Sequence, residues 1–216
     1  MAAVFLSVSL LEEYLAIVGA VIGFVIAYVS YRGYQQTHSP TLLRLGAAFL
    51  LLGISYSFTG FHGLAVNGLL PNFAILIGTL ALLAYTLETA GYFFLAFSHM
   101  LNVKGLKRGS FMPLIAFAPG AVVAGLKSLS FYFLLYGVTE TLLSYVRTRK
   151  RETLVIAAGL AMLATGEFMR WIGLFYGPAS DLALVSVFVK VVGLSTLVMP
   201  IVKFVWLGRG MTDVVV

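Results

Sequence analysis

Five ionisable side chains stand inside long apolar runs of this sequence: Glu88, Glu140, Glu167, Arg170 and Lys190. An unpaired charge at the centre of a bilayer costs several kcal/mol, so each needs a partner, water or a changed protonation state. Glu167 and Arg170 are one helical turn apart, which predicts a direct pair. Lys190 falls at similar depth in the next apolar run, giving an expected Glu167–Arg170–Lys190 cluster. Upstream, Tyr85, Glu88, Tyr92 and His99 return to one helical face with Ala81. Tyr136, Glu140, Ser144 and Arg147 do the same further on. Glu88 and Glu140, each beside tyrosines, suggest a hydrated inner cavity. No base in its own run neutralises Glu88, so it is expected to exchange protons unless another helix supplies a cation.

Other chemistries lack their parts. The chain has no cysteine, which removes disulfides, thiolate metal sites and cysteine nucleophiles. Haem needs axial ligands at one depth, but His62 and His99 fall near opposite ends of their runs and His38 lies between runs. Paired histidines with a carboxylate, as metal hydrolysis wants, are missing, and so is G-x-S-x-G. Glu12 and Glu13 read as a solvated helix start. The expectation is a noncatalytic protein without metal or cofactor.

The elements that must position these groups follow from composition. Of 216 residues, 61% are hydrophobic and 10% charged, against roughly a quarter charged in soluble domains. Too few charges remain to wet a surface, so the solvent is lipid. The net charge of +6 gathers in short clusters between apolar stretches and implies no nucleic-acid partner. Residues 1–11 lack the pattern of a cleaved signal peptide. The runs predict an all-α integral membrane bundle with seven transmembrane helices, at about 14–31, 42–64, 72–100, 111–126, 128–146, 154–176 and 181–206. The fourth is short and holds Pro113 and Pro119. With seven crossings, eleven of the fourteen basic residues share one face and Lys127 falls in an external loop. That places the N-terminus outside and the C-terminus inside a cell membrane.

Spans two and six each carry a seven-residue glycine ladder: Gly46, Gly53 and Gly60, then Gly159, Gly166 and Gly173. Sliding the chain by 113 positions superposes them, and the loops agree with a slip of two, Tyr34 and Thr37 against Tyr145 and Thr148. This predicts a parallel 3+1+3 repeat: 14–100, a linking helix 111–126, and 128–206. Glycines at this spacing make narrow seams for close helix approach. The plan resembles sugar transporters of the PQ-loop kind, although spans one and five contain no proline. Seven spans with Lys190 in the last also resemble microbial rhodopsins, which hold retinal on such a lysine. Here Ser186 precedes Lys190 by four residues, span three has no R-Y-x-D-W-like run, and span six has Trp171 without W-x-x-Y-P.

The leading functional expectation is therefore small-solute or proton-linked transport. The alternative is a noncatalytic subunit or signal-relaying module that meets membrane-protein partners or its own copies. A rhodopsin-like retinal protein is the remote third. A polar path through Glu88 and Glu140 would favour transport; dry, mutually paired charges would favour the module.

Overall fold

The computed structural model describes residues 2–66, 74–100, 119–176 and 181–212. They form six helices: α1 Ala2–Thr37, α2 Pro40–Val66, α3 Ala74–Met100, α4 Pro119–Thr148, α5 Arg151–Tyr176 and α6 Asp181–Thr212. Each contains a stretch long and apolar enough to cross a membrane, from Leu10–Thr37 in α1 to Leu182–Lys203 in α6. The chain is a polytopic, all-α membrane protein.

One predicted boundary is wrong. The expected spans 111–126 and 128–146 meet at a loop around Lys127, yet α4 runs unbroken through that position. An apolar helix can swallow a lysine when its charge is met from other helices, and hydropathy alone does not reveal that. Residues 111–118 of the expected linking helix lie outside the described residues.

Two turns repeat one geometry. α1 ends at His38, whose φ of 52° is left-handed, and its amide donates to the Tyr34 carbonyl at 2.7 Å. Ser39 then accepts from Leu42 at 3.1 Å and Leu43 at 3.4 Å, and Pro40 opens α2 where its missing N–H is harmless. At the end of α4, Arg149 has φ 55° and donates to Tyr145 at 2.7 Å. Lys150 accepts from Thr153 at 3.1 Å and Leu154 at 3.4 Å. Every member of the second turn lies 111 positions after its counterpart, which matches the slipped loop register and differs from the 113 of the ladders.

The helices pack as a closed ring, α1 to α6 in order, with α6 returning to α1. α2 sits between α1 and α3, where Ser55 donates to the Ala84 carbonyl at 2.7 Å. Neighbours run antiparallel except at two places, α3–α4 and, by the same alternation, α6–α1. Between α3 and α4, Lys127 stands over the Tyr85 ring, Thr89 meets Ser130, and Phe93 meets Phe133. The register rises in both helices together, so these two are parallel.

The glycines lie at close contacts, though the two ladders face different neighbours. Gly46 and Gly53 abut α1 at Ala27, Ser30, Ala20 and Phe24, whereas Gly159 and Gly166 abut α6 at Leu197, Gly193, Ser186 and Lys190. A Cβ on Gly166 would stand 2.5 Å from Lys190 Cγ and 2.9 Å from the Ser186 carbonyl; one on Gly60 would meet Ile17 at 3.4 Å, an ordinary contact. Gly166→Ala should therefore destabilise by about 1–3 kcal/mol through overpacking. Gly60→Ala should be neutral or stabilising by a few tenths, since alanine is the better helix former. Thermal unfolding in detergent compares them, and equal midpoints would remove the seam around Gly166.

Candidate functional site

Four helices send one ionisable residue each into the middle of the ring: Glu88 from α3, Lys127 from α4, Glu167 from α5 and Lys190 from α6. Their exposures are 5%, 2%, 0% and 3%. The backbones of α3 and α6 do not touch, nor do those of α3 and α5, so the contacts are made by side chains reaching across the axis. Lys127 Nζ lies 2.5 Å from Glu88 Oε2 and 3.2 Å from Glu167 Oε2. Lys190 Nζ lies 2.8 Å from Glu88 Oε1 and pairs with Glu167 Oε1. Each carboxylate oxygen thus receives one ammonium, and each ammonium bridges both carboxylates.

The quartet is neutral as a whole, which is how charge survives without water. Tyr92, fully buried, turns its hydroxyl towards both carboxylates, at 3.4 Å from Glu88 and 3.5 Å from Glu167. The Tyr85 ring lies 4.7 Å from the Lys127 ammonium, where its face is electrostatically attractive. Tyr56 on α2 brings a fully enclosed hydroxyl that makes no hydrogen bond of acceptable geometry.

The two sides of the quartet differ. Towards the 38–39 and 149–150 turns the axis is filled by Leu52, Leu95, Leu134, Leu163 and Leu194, all buried. Towards the opposite ends lies a second polar group: Arg170 pairs with Glu12 of α1, their side chains 22% and 25% exposed. His62 is half-buried within electrostatic reach of both, and the Tyr85 hydroxyl approaches Arg170. Polar side chains therefore connect this end to Lys127, while aliphatic packing closes the end that holds the turns.

These positions correct several expectations. Glu167 does not pair with Arg170: it points to the axis, while Arg170 turns to α1. Glu88 does not lack a cation; α4 and α6 supply two. Glu140 takes no part. It lies 13 residues from Lys127 on the same helix, roughly 20 Å along its axis, half-buried beside Tyr136, so among the described residues Glu88 and Glu140 do not line one site. Glu12 and Glu13 are not a solvated start, since Glu12 holds Arg170 and Glu13 is buried against Gly63. The side chain of His99 lies outside the described residues. Lys127 is the member that sequence reasoning missed.

The revised pairing has a measurable consequence. Glu12→Gln and Arg170→Gln should be non-additive in a double-mutant cycle, with coupling of about 1 kcal/mol for a partly exposed pair. Glu167→Gln with Arg170→Gln should add within error. Strong coupling in the second cycle and none in the first would restore the direct Glu167–Arg170 pair.

Among the described residues, no group of three His, Cys, Asp or Glu side chains is placed to hold a metal ion. Comparison with protein-family models, with curated proteins and with solved structures finds no match to this chain.

Proposed function

We propose that this protein is a noncatalytic, seven-pass membrane module made of two parallel three-helix halves, and that it relays changes in how the halves meet. The observation that carries this reading is the seam between them. Among the described residues, each ion pair that joins α1–α3 to α4–α6 takes its acid from the first half and its base from the second. These are Glu12 with Arg170, and Glu88 with Lys127 and Lys190. Parting the buried pairs would leave charges without their partners, which is costly, and that suits an element with a joined and a parted state.

Several features support two halves. The turns at His38 and Arg149 are alike at a spacing of 111. At the same spacing, Ala48 and Leu52 of α2, which abut Gly91, correspond to Gly159 and Leu163 of α5, which abut Gly193. α1 and α4 run in one direction, α2 and α5 in the other, as parallel repeats about an axis along the membrane normal require. Because α3 and α4 are parallel, the chain leaves one face and re-enters from the other, which calls for a further crossing between them. Arg32, Arg44, Arg147, Arg149, Lys150 and Arg151 gather at the end that holds both turns, and this favours a cytoplasmic face there.

Topology is testable because the chain has no cysteine. In His38→Cys and Arg149→Cys the new thiol should label only after the membrane is opened, and in Val66→Cys it should label on intact cells. Labelling of positions 38 and 149 from opposite sides would end the two-half plan.

Small-solute or proton-linked transport is the second reading, favoured by the polar side chains leading from Glu12 and Arg170 to Lys127. Reconstitution separates the two. The relay reading expects no pH-driven proton flux in liposomes and a membrane-protein partner or second copy retained on mild purification. Flux in the wild type that Lys127→Met abolishes would decide for transport.

A further inference from the structure

Resting on the two-half reading, we infer that the second half carries a receptor for a small carboxylate, which Glu88 fills as a tethered ligand. Three quartet members, Lys127, Glu167 and Lys190, belong to α4, α5 and α6 and are already bound to one another. Glu88 is the sole contribution of the first half. Without it the remaining trio has two ammoniums for one carboxylate, an excess of one positive charge in a buried site. Such a site draws an anion.

The grip defines the anion's shape. Lys127 holds Glu88 Oε2 at 2.5 Å while Lys190 holds Oε1 at 2.8 Å, so two cations address two oxygens of one planar group. A spherical ion offers no such pair of points. Tyr92 of α3 also approaches the oxygen that Lys190 holds, and it withdraws together with Glu88. Entry would come from the outer end, where partly exposed Arg170 supplies positive charge three residues beyond Glu167 and its own tethered acid, Glu12, repeats the pattern. Leu134, Leu163 and Leu194 close the other direction. When the halves part, Glu88 withdraws with α3 and the seat is open to a free carboxylate.

Chemical rescue tests this directly. Glu88→Ala removes a methylene and a carboxylate, which acetate restores in size and charge. Acetate should raise the unfolding midpoint of the Glu88→Ala protein with the logarithm of its concentration, by several degrees once it is about a hundredfold above its dissociation constant. Formate should act more weakly, and chloride at equal ionic strength should do little. The wild type and Glu88→Gln, whose seats stay filled, should not respond. If Glu88→Ala is lost in anion-free buffer, purification in acetate should recover it, and exchange into chloride should destroy it again. No acetate-specific effect, an equal effect on all three proteins, or failure of Glu88→Ala in both buffers while Glu88→Gln purifies would each overturn the receptor. Such a failure leaves the two-half seam standing, because the seam is judged by coupling between Glu88 and Lys190 and not by rescue.

Discussion

Lys127→Met should destabilise the fold by roughly 3–5 kcal/mol, the range for removing one partner of a buried ion pair. Methionine matches the lysine stem but takes away the ammonium that bridges Glu88 Oε2 and Glu167 Oε2. Two carboxylates then face Lys190 alone, and the site carries an uncompensated negative charge away from bulk solvent. Adding Glu167→Gln to the same protein should recover much of the loss, because the remaining Glu88–Lys190 pair is neutral again. Lys203→Met is the control: that lysine pairs with Glu152 at 2.7 Å, but the two side chains are 55% and 47% exposed, so the change should cost less than about 1 kcal/mol. Denaturant unfolding in mixed micelles reads all three. A Lys127→Met protein as stable as Lys203→Met would mean that the quartet carries no stability.

What the sequence made legible was whatever hydropathy controls. Apolar runs longer than a bilayer are hard to hide, and five of the six helices fall where such runs predict them. The helix that was misplaced is the one with a lysine inside it. Gly125, Lys127 and Ser128, following two prolines, have the composition of a loop. Nothing local distinguishes a solvated lysine there from one whose charge is met by carboxylates 39 and 40 positions away. A usable signal did exist in charge arithmetic: Glu88 and Glu167 require two buried bases, and Lys190 is only one.

Helical angle explains the second error. Glu167 and Arg170 are close enough along α5 to pair, yet three residues of separation leaves them about 60° apart around it. At the centre of a ring that angle decides between the axis and a neighbour, so Glu167 takes the lysines and Arg170 takes Glu12. The glycine ladders and the turns offer different registers for the proposed repeat. The glycine ladders align at 113 but abut different neighbours, because a seam can lie on either side of a central helix. The turns at His38 and Arg149 carry the more telling register, since a left-handed residue and its capping bonds leave little freedom in alignment. In the proposed two-half plan, aligning α3 and α6 on Gly91 and Gly193 gives Glu88 and Lys190 the same place. Such a plan would set equivalent positions opposite each other, and these two carry opposite charge.

That opposition is the centre of the account, and one thermodynamic cycle tests it. Glu88→Gln, Lys190→Met and the double variant would be unfolded in the same micelles, beside the wild type. Each single change strands a buried charge across the seam; the double change leaves Lys127 with Glu167, a neutral pair. The double variant is expected to be more stable than the sum of the single losses allows, with a coupling of about 2–3 kcal/mol, and more stable than Glu88→Gln alone. Losses that simply add would show that Glu88 and Lys190 do not hold the halves together, and would contradict the charged seam.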